Sequence, residues 1–219
     1  GLFAKVGTDG AIQDLTVEGT ISSSQTSNAF IGSIAGQVQG GSIVNCISKV
    51  RINAATAKKI GGIAGDATGA STFTGCANLG AITASQYGGG IIGGMSGTPN
   101  ISITNCYNTG AVATSSSNCG GLIGYTTGTV TIQNCYNAET GVRSGTNSGA
   151  LVGFLNSTSA AKNSYWLGDV TTMGIGNASG GYAGTFTGCT FKTAEELKAI
   201  AFLDTLNQNA PEGSRFAAD

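Results

Sequence analysis

The chain has 219 residues, of which 37 are Gly, 2 are Pro and none is His; its formal net charge is −1 and charged residues make up 10%. A soluble domain ordinarily carries ~25% charged residues and ~7% Gly. The near-zero charge gives no global field for nucleic acid or an anionic membrane. The missing His excludes His-based triads, His acid–base chemistry and His metal ligation. No run approaches ~18 consecutive apolar residues, so no membrane insertion by this segment is expected. No charged and apolar leader is read at the start, and Gly1-Leu2-Phe3 begins in mid-pattern, as in an excised piece of a larger surface protein.

In chain order, one unit recurs. Cys46, Cys76, Cys106 and Cys135 follow one another at steps of 30, 30 and 29 residues, and Leu15, Ser164 and Cys189 extend the column to seven registers. Three residues before it stand Ile12, Ile43, Phe73, Ile103, Ile132, Ala161 and Phe186. Six or seven residues after it stand Ile21, Ile52, Ile82, Val112, Val142 and Val170. A Gly-apolar-apolar-Gly segment precedes the Cys column, as in Gly90-Ile91-Ile92-Gly93 and Gly121-Leu122-Ile123-Gly124. Each unit thus holds three short apolar runs bounded by Gly, Asn, Ser and Thr, which read as strands. Such a unit cannot bury its apolar side alone, whereas stacked copies place identical columns in ladders ~4.8 Å apart. The expectation is an all-β parallel β-helix of six to seven coils over residues 1–190, with three strands per coil and right-handed winding by the crossover rule. Asn105 falls between inward-facing Ile103 and Cys106. It marks a corner, because Asn tolerates the left-handed backbone and can form a hydrogen-bonded stack.

Gly121 to Gly124 followed by Asn134-Cys135-Tyr136-Asn137, and Asn105-Cys106-Tyr107-Asn108-Thr109-Gly110, resemble the GLUG-motif repeat. The resemblance implies a large secreted or surface-anchored bacterial protein, as in non-catalytic parts of adhesins and of immunoglobulin A peptidases.

Residues 191–219 differ in composition. Thr193-Ala194-Glu195-Glu196 is a capping box. Leu197, Ile200, Ala201 and Leu203 to Leu206 then continue at helical spacing, giving one helix over about 194–207 that covers the last coil.

Several chemistries can be weighed from the residues. Gly88-Gly89-Gly90-Ile91-Ile92-Gly93 matches a dinucleotide fingerprint, but Met95 to Pro99 cannot open the helix it needs, so it is a turn signature. The six Cys form no CxxC pairs, so no metal site and no cofactor is expected. The ladder Cys read as packed thiols, since parallel side chains oppose the geometry of a bridge, and Cys119 reads as the accessible thiol. Glu18, Glu139 and Asp169 lie in different columns, Asp66 stands alone, and Asp9 and Asp14 have no stacked partner. No paired carboxylates of a glycosidase or lyase emerge, and no catalytic residue is expected. Lys49, Arg51, Lys58 and Lys59 read as a solvated edge. Thr72, Thr74, Thr129 and Thr131 are too irregular for an ice-binding lattice. Tyr107, Tyr136 and Tyr165 follow Cys in three successive coils, with Trp166 beside the last. This column faces outward and reads either as a ladder stabilising the sheet or as a platform for sugar rings. The partners expected are a glycan or a host or cell-surface protein, with no nucleic acid, for a monomeric extracellular module.

Overall fold

The computed structural model describes residues 1–26, 29–142, 146–155, 159–169, 171–178, 185–210 and 216. Parallel strands stack into an all-β solenoid of six to seven coils. A first face runs from Phe3–Val6 through Ala35–Gln39, Ala64–Thr68, Ile92–Met95, Ile123–Tyr125 and Val152–Leu155 to Ile175–Ala178. A second runs from Ala11–Gln13 through Ser42–Val44, Thr72–Thr74, Asn100–Thr104, Thr129–Gln133 and Ala160–Lys162 to Thr185–Thr187. The third contains Thr16–Ser22, Ile47–Ala54 and the shorter strands of later coils, ending at Thr190–Lys192.

The three expected runs are joined by a short fourth face, Phe30–Gly32, Lys59–Gly61, Tyr87–Gly89, Cys119–Gly120 and Ser148–Gly149. The Gly-apolar-apolar-Gly segment is therefore the corner between the fourth face and the first, with Gly62-Ile63 turning the chain between Lys59–Gly61 and Ala64–Thr68.

Register follows the sequence columns. Ile12, Ile43, Phe73, Ile103, Ile132, Ala161 and Phe186 are successive cross-strand partners. So are Ile21, Ile52, Ile82 and Val112; Val170 lies outside the described residues. Ile43, Ile103 and Ile132 are fully buried, and each such side chain contributes ~1.5–3 kcal/mol of hydrophobic stabilisation. The corner before the Cys column is left-handed in every coil: Asp14, Asn45, Asn105, Asn134 and Asn163 have φ of 55°, 50°, 54°, 54° and 46°, and Gly75 and Gly188 take the same turn at 63° and 66°. Asn134 Nδ2 donates to Asn105 Oδ1 at 2.7 Å, the stacking expected of corner amides.

A second amide ladder lies inside. Asn78, Asn108 and Asn137 are fully buried, and Asn78 Nδ2 donates to Asn108 Oδ1, as Asn108 does to Asn137, at 2.8 Å each. Each Nδ2 also donates, at 2.8 Å, to the carbonyl two residues on, of Gly80, Gly110 and Glu139. These amides meet the opposite corner: a Cβ on Gly90 would stand 2.5 Å from Asn108 Cγ, and Gly62 and Gly121 face Asn78 and Asn137 in the same way. The glycine segment and the Cys-Tyr-Asn segment are thus two halves of one contact. Where the corner residue departs from Gly, the residue in the facing column departs from Asn: by register Ser33 goes with Ser48, and Ala150 with Trp166. The contact pinches the coil, leaving one apolar cluster around Ile43, Ile103 and Ile132 and another around Ile52, Ile60 and Ile82.

The C-terminal helix is interrupted. The capping box forms as expected, with Thr193 Oγ1 accepting from Glu196 N, but α1 covers only Ala194–Lys198. Ala199 is extended, at φ −71° and ψ 140°, and a second helix, α2, spans Ile200–Gln208. The contacts of α2 run along the side of the solenoid, where Leu206 O accepts from Asn134 Nδ2 at 2.9 Å and Asn209 Oδ1 from Asn163 Nδ2 at 2.8 Å. Among the described residues no helix is long and apolar enough to cross a membrane.

Candidate functional site

The expected tyrosine column exists, but its rings are engaged. Tyr107 pairs with Tyr136, and Tyr136 with Tyr165, along the third face. The rings of Tyr107 and Tyr136 lie 5.0 Å apart and within 2° of parallel. Their apolar faces are turned to each other, which leaves ring edges rather than faces toward solvent. Tyr165 is only 7% exposed. Phe202 of α2 stands edge-on to both Tyr165 and Tyr136, at 5.2 and 5.8 Å, and Phe216 lies 5.9 Å from Tyr136. Burial pushes the Tyr165 phenol above its ordinary pKa, with the neighbouring Cys189 adding to the shift. The open three-ring strip is therefore corrected: the side of α2 that buries Phe202 and Leu206 rests on it.

Trp166 is on the other side of its strand, in the column of the buried Asn137. Its indole fills the space over Gly174 and its Nε1 donates to Thr172 O at 3.1 Å. Alternation along the strand turns it inward, away from the tyrosines. Of the four residues expected to contact a ligand, Tyr107, Tyr136 and Trp166 remain half-exposed, and of these only the two tyrosines lie on the outward column.

A second aromatic strip was not singled out by sequence. Tyr87 lies 4.8 Å from Tyr125, and Tyr125 lies 5.2 Å from Phe154, along the groove between the fourth and first faces. The signal was local: an aromatic follows the glycine segment at Gly124-Tyr125 and Gly153-Phe154, and another precedes it at Tyr87-Gly88. Further along this groove lies an ion pair. Lys59 Nζ stands 2.7 Å from Asp66 Oδ1, with side chains 13% and 0% exposed, and also donates to Met95 O at 2.9 Å. Gln37 Nε2 and Ser96 Oγ donate to the same carboxylate, at 2.9 and 3.0 Å. Asp66 is thus not alone, and Lys59 is not part of a solvated edge. The outward columns of two faces converge at the glycine corner and cover both. Lys49 is exposed and pairs with Glu18 at 2.8 Å.

The thiols have a structural part. Cys76 N donates to Cys106 Sγ at 3.3 Å and Cys106 N to Cys135 Sγ at 3.4 Å, while Ser164 Oγ accepts from Cys135 N at 3.2 Å. A small side chain with an acceptor atom replaces the backbone bond that each left-handed corner loses, which is why Ser fits the column. All six Cys are free. Cys119 is corrected from accessible to fully buried: it pairs with inward Gly88, and its Sγ donates to Val112 O at 3.2 Å. The partly exposed thiol is Cys189, which burial pushes above its ordinary pKa.

No protein-family model matches the chain. No characterised protein matches it either. Among solved structures, it is similar to the 1.30 Å crystal structure of a "putative immunoglobulin A1 protease" from Bacteroides ovatus, at a TM-score of 0.69 and 23% identity over 94% of this chain and 68% of that one. At that identity the likeness is one of fold.

Proposed function

We propose that this chain is a non-catalytic module of a secreted or surface-exposed bacterial protein, acting as a rigid spacer that also contributes adhesive surface. The observation that carries this is the internal amide ladder Asn78–Asn108–Asn137, seated on the glycine corner of each coil. The amide-to-amide bonds there link one coil to the next, while the bonds to Gly80 O, Gly110 O and Glu139 O fix each amide within its own coil, so the return is stiffness along the axis. The GLUG resemblance supports the same reading, since such repeats accompany adhesins and the non-catalytic parts of immunoglobulin A peptidases. The similar Bacteroides ovatus structure carries a related description. The ring faces that a sugar-binding Tyr107, Tyr136, Tyr165 and Trp166 platform requires are largely engaged. Glycan contact at that column is accordingly the second reading, resting on the half-exposed Tyr107 and Tyr136.

The test is incubation of the purified chain with immunoglobulin A1, followed by separation of the heavy-chain fragments. An intact heavy chain is expected. Specific fragments that grow with the amount of chain overturn the non-catalytic reading.

A further inference from the structure

The coils differ in the length of their corners, and the corner between the first and second faces of coil four is one of the long ones. Between the first and second faces, Met95 aligns with Ala67 and Ser102 with Thr72, so the chain between them is two residues longer in coil four than in coil three. The next coil is shorter again, because Tyr125 aligns with Gly94 and Thr131 with Ser102. The additional length carries Gly97-Thr98-Pro99, with Gly97 at φ 73°. In a stacked repeat an insertion does nothing for the ladder, and such insertions project from the surface that binds.

Here the insertion walls a cavity of about 430 Å³, open to solvent and lined by Gln37, Gln39, Thr68, Ser96 and Thr98 with the backbone of Gly69 and Gly97. It is a shallow depression, wide open to solvent, that could hold one edge of a sugar ring rather than enclose it. Three successive coils contribute, through Gln37 and Gln39, then Thr68, then Ser96 and Thr98. The lining is polar and uncharged, two carboxamides and three hydroxyls, of which the Ser96 hydroxyl is already committed between Lys59 and Asp66. The nearest charges, Lys59 and Asp66, neutralise one another behind it at 2.7 Å. Gln37 and Ser96 are fixed by their bonds to that carboxylate. Thr68 Oγ1 is buried with no hydrogen-bond partner where it stands, and a change of its χ1 rotamer toward the depression would let it pair with a ligand hydroxyl.

The geometry points to a binding site for a neutral saccharide at this corner. The lining itself offers neither a free cation nor a free carboxylate; the exposed Lys5 stands one rung away beside Gln37, and a comparison with sialic acid tests whether it recruits a charged sugar. Paired amides and hydroxyls match the adjacent hydroxyls of a sugar ring. This inference deepens the adhesive part of the proposed function and is independent of the spacer part.

The experiment is a titration of the ¹⁵N-labelled 219-residue chain with glucose, galactose, mannose, N-acetylglucosamine and N-acetylgalactosamine, with sialic acid as the charged comparison. At least one neutral sugar is expected to shift the amides of Thr68, Gly69, Gly97 and Thr98 in a saturable way. Gln39→Ala and Thr98→Ala alter exposed side chains, so the spectrum should stay folded while affinity falls about tenfold for each lost hydrogen bond. Removing Gly97 and Thr98, which restores the corner length of coil three, should abolish the shifts. No saturable shift with any neutral sugar, shifts confined to another region, or a response to sialic acid alone would each overturn the assignment. A null titration leaves chain rigidity, measured separately by end-to-end distance, as the test of the spacer.

Discussion

Replacing Asn108 with Ala tests the internal amide ladder most sharply. Asn108 is fully buried and takes part in three hydrogen bonds of 2.8 Å: it donates to Gly110 O and Asn137 Oδ1 and accepts from Asn78 Nδ2. Truncation leaves two acceptors without donors in a dry interior. Asn78 Nδ2 keeps Gly80 O. Each orphaned group costs about 1–3 kcal/mol, and the vacated volume adds to this, so the expected loss is about 3–5 kcal/mol. Asn78 heads the ladder, and its Oδ1 already lacks a partner. Asn78→Ala removes that unpaired atom and should cost at least ~1 kcal/mol less. Urea unfolding followed by far-UV circular dichroism gives both values, with Asn53→Ala on the exposed side of the third face as the reference. A loss below about 1 kcal/mol for Asn108→Ala, or one no larger than for Asn78→Ala, would refute the ladder's role.

Three other outcomes follow from the same contacts. Phe202→Ala should release α2 from Tyr136 and Tyr165 while leaving the β signal intact, seen as faster amide exchange confined to 194–210 and a rise in tyrosine accessibility. Breaking the buried pair by Asp66→Asn should cost about 3–5 kcal/mol, whereas the double change Lys59→Met with Asp66→Leu should recover most of it, because no charge is then left unpaired. In the native protein a thiol reagent should modify Cys189 first and the other five Cys only on unfolding. Burial raises the Cys189 pKa, so its thiolate is scarce below that raised value and the labelling rate should climb with pH into the range above that of a free thiol. Rapid native labelling of Cys119 would show that its strand register is wrong.

The stacking order was legible because a solenoid converts sequence period directly into spatial column. The run from Ile12 to Phe186 and the left-handed turn at Asn105 both appear where the spacing placed them. The meeting of Gly90 with Asn108 was not legible from period alone, because it joins two columns across the coil rather than along it. A signal did exist, in that Ser33 and Ser48 depart from the pattern together. The fourth face was merged with the glycine segment because three-residue strands such as Lys59–Gly61 abut it without a break. Cys119 was misread from its Ser and Asn neighbours, although its register with Gly88 sets its direction. For the tyrosines, the column was visible and its covering was not, since the path of α2 depends on the extended break at Ala199.

Rigidity along the axis is the central claim, and a spin-label distance tests it most directly. Gln13, Val44, Thr74, Thr104, Gln133 and Lys162 form one outward column of the second face. Cys labels replacing Gln13 and Lys162, with Cys189→Ser to remove the partly exposed thiol, are separated by five ladder steps of ~4.8 Å, or about 24 Å. Pulsed electron–electron resonance should give a single narrow distribution near that separation. A broad or two-peaked distribution would contradict a rigid spacer, whatever the chain binds.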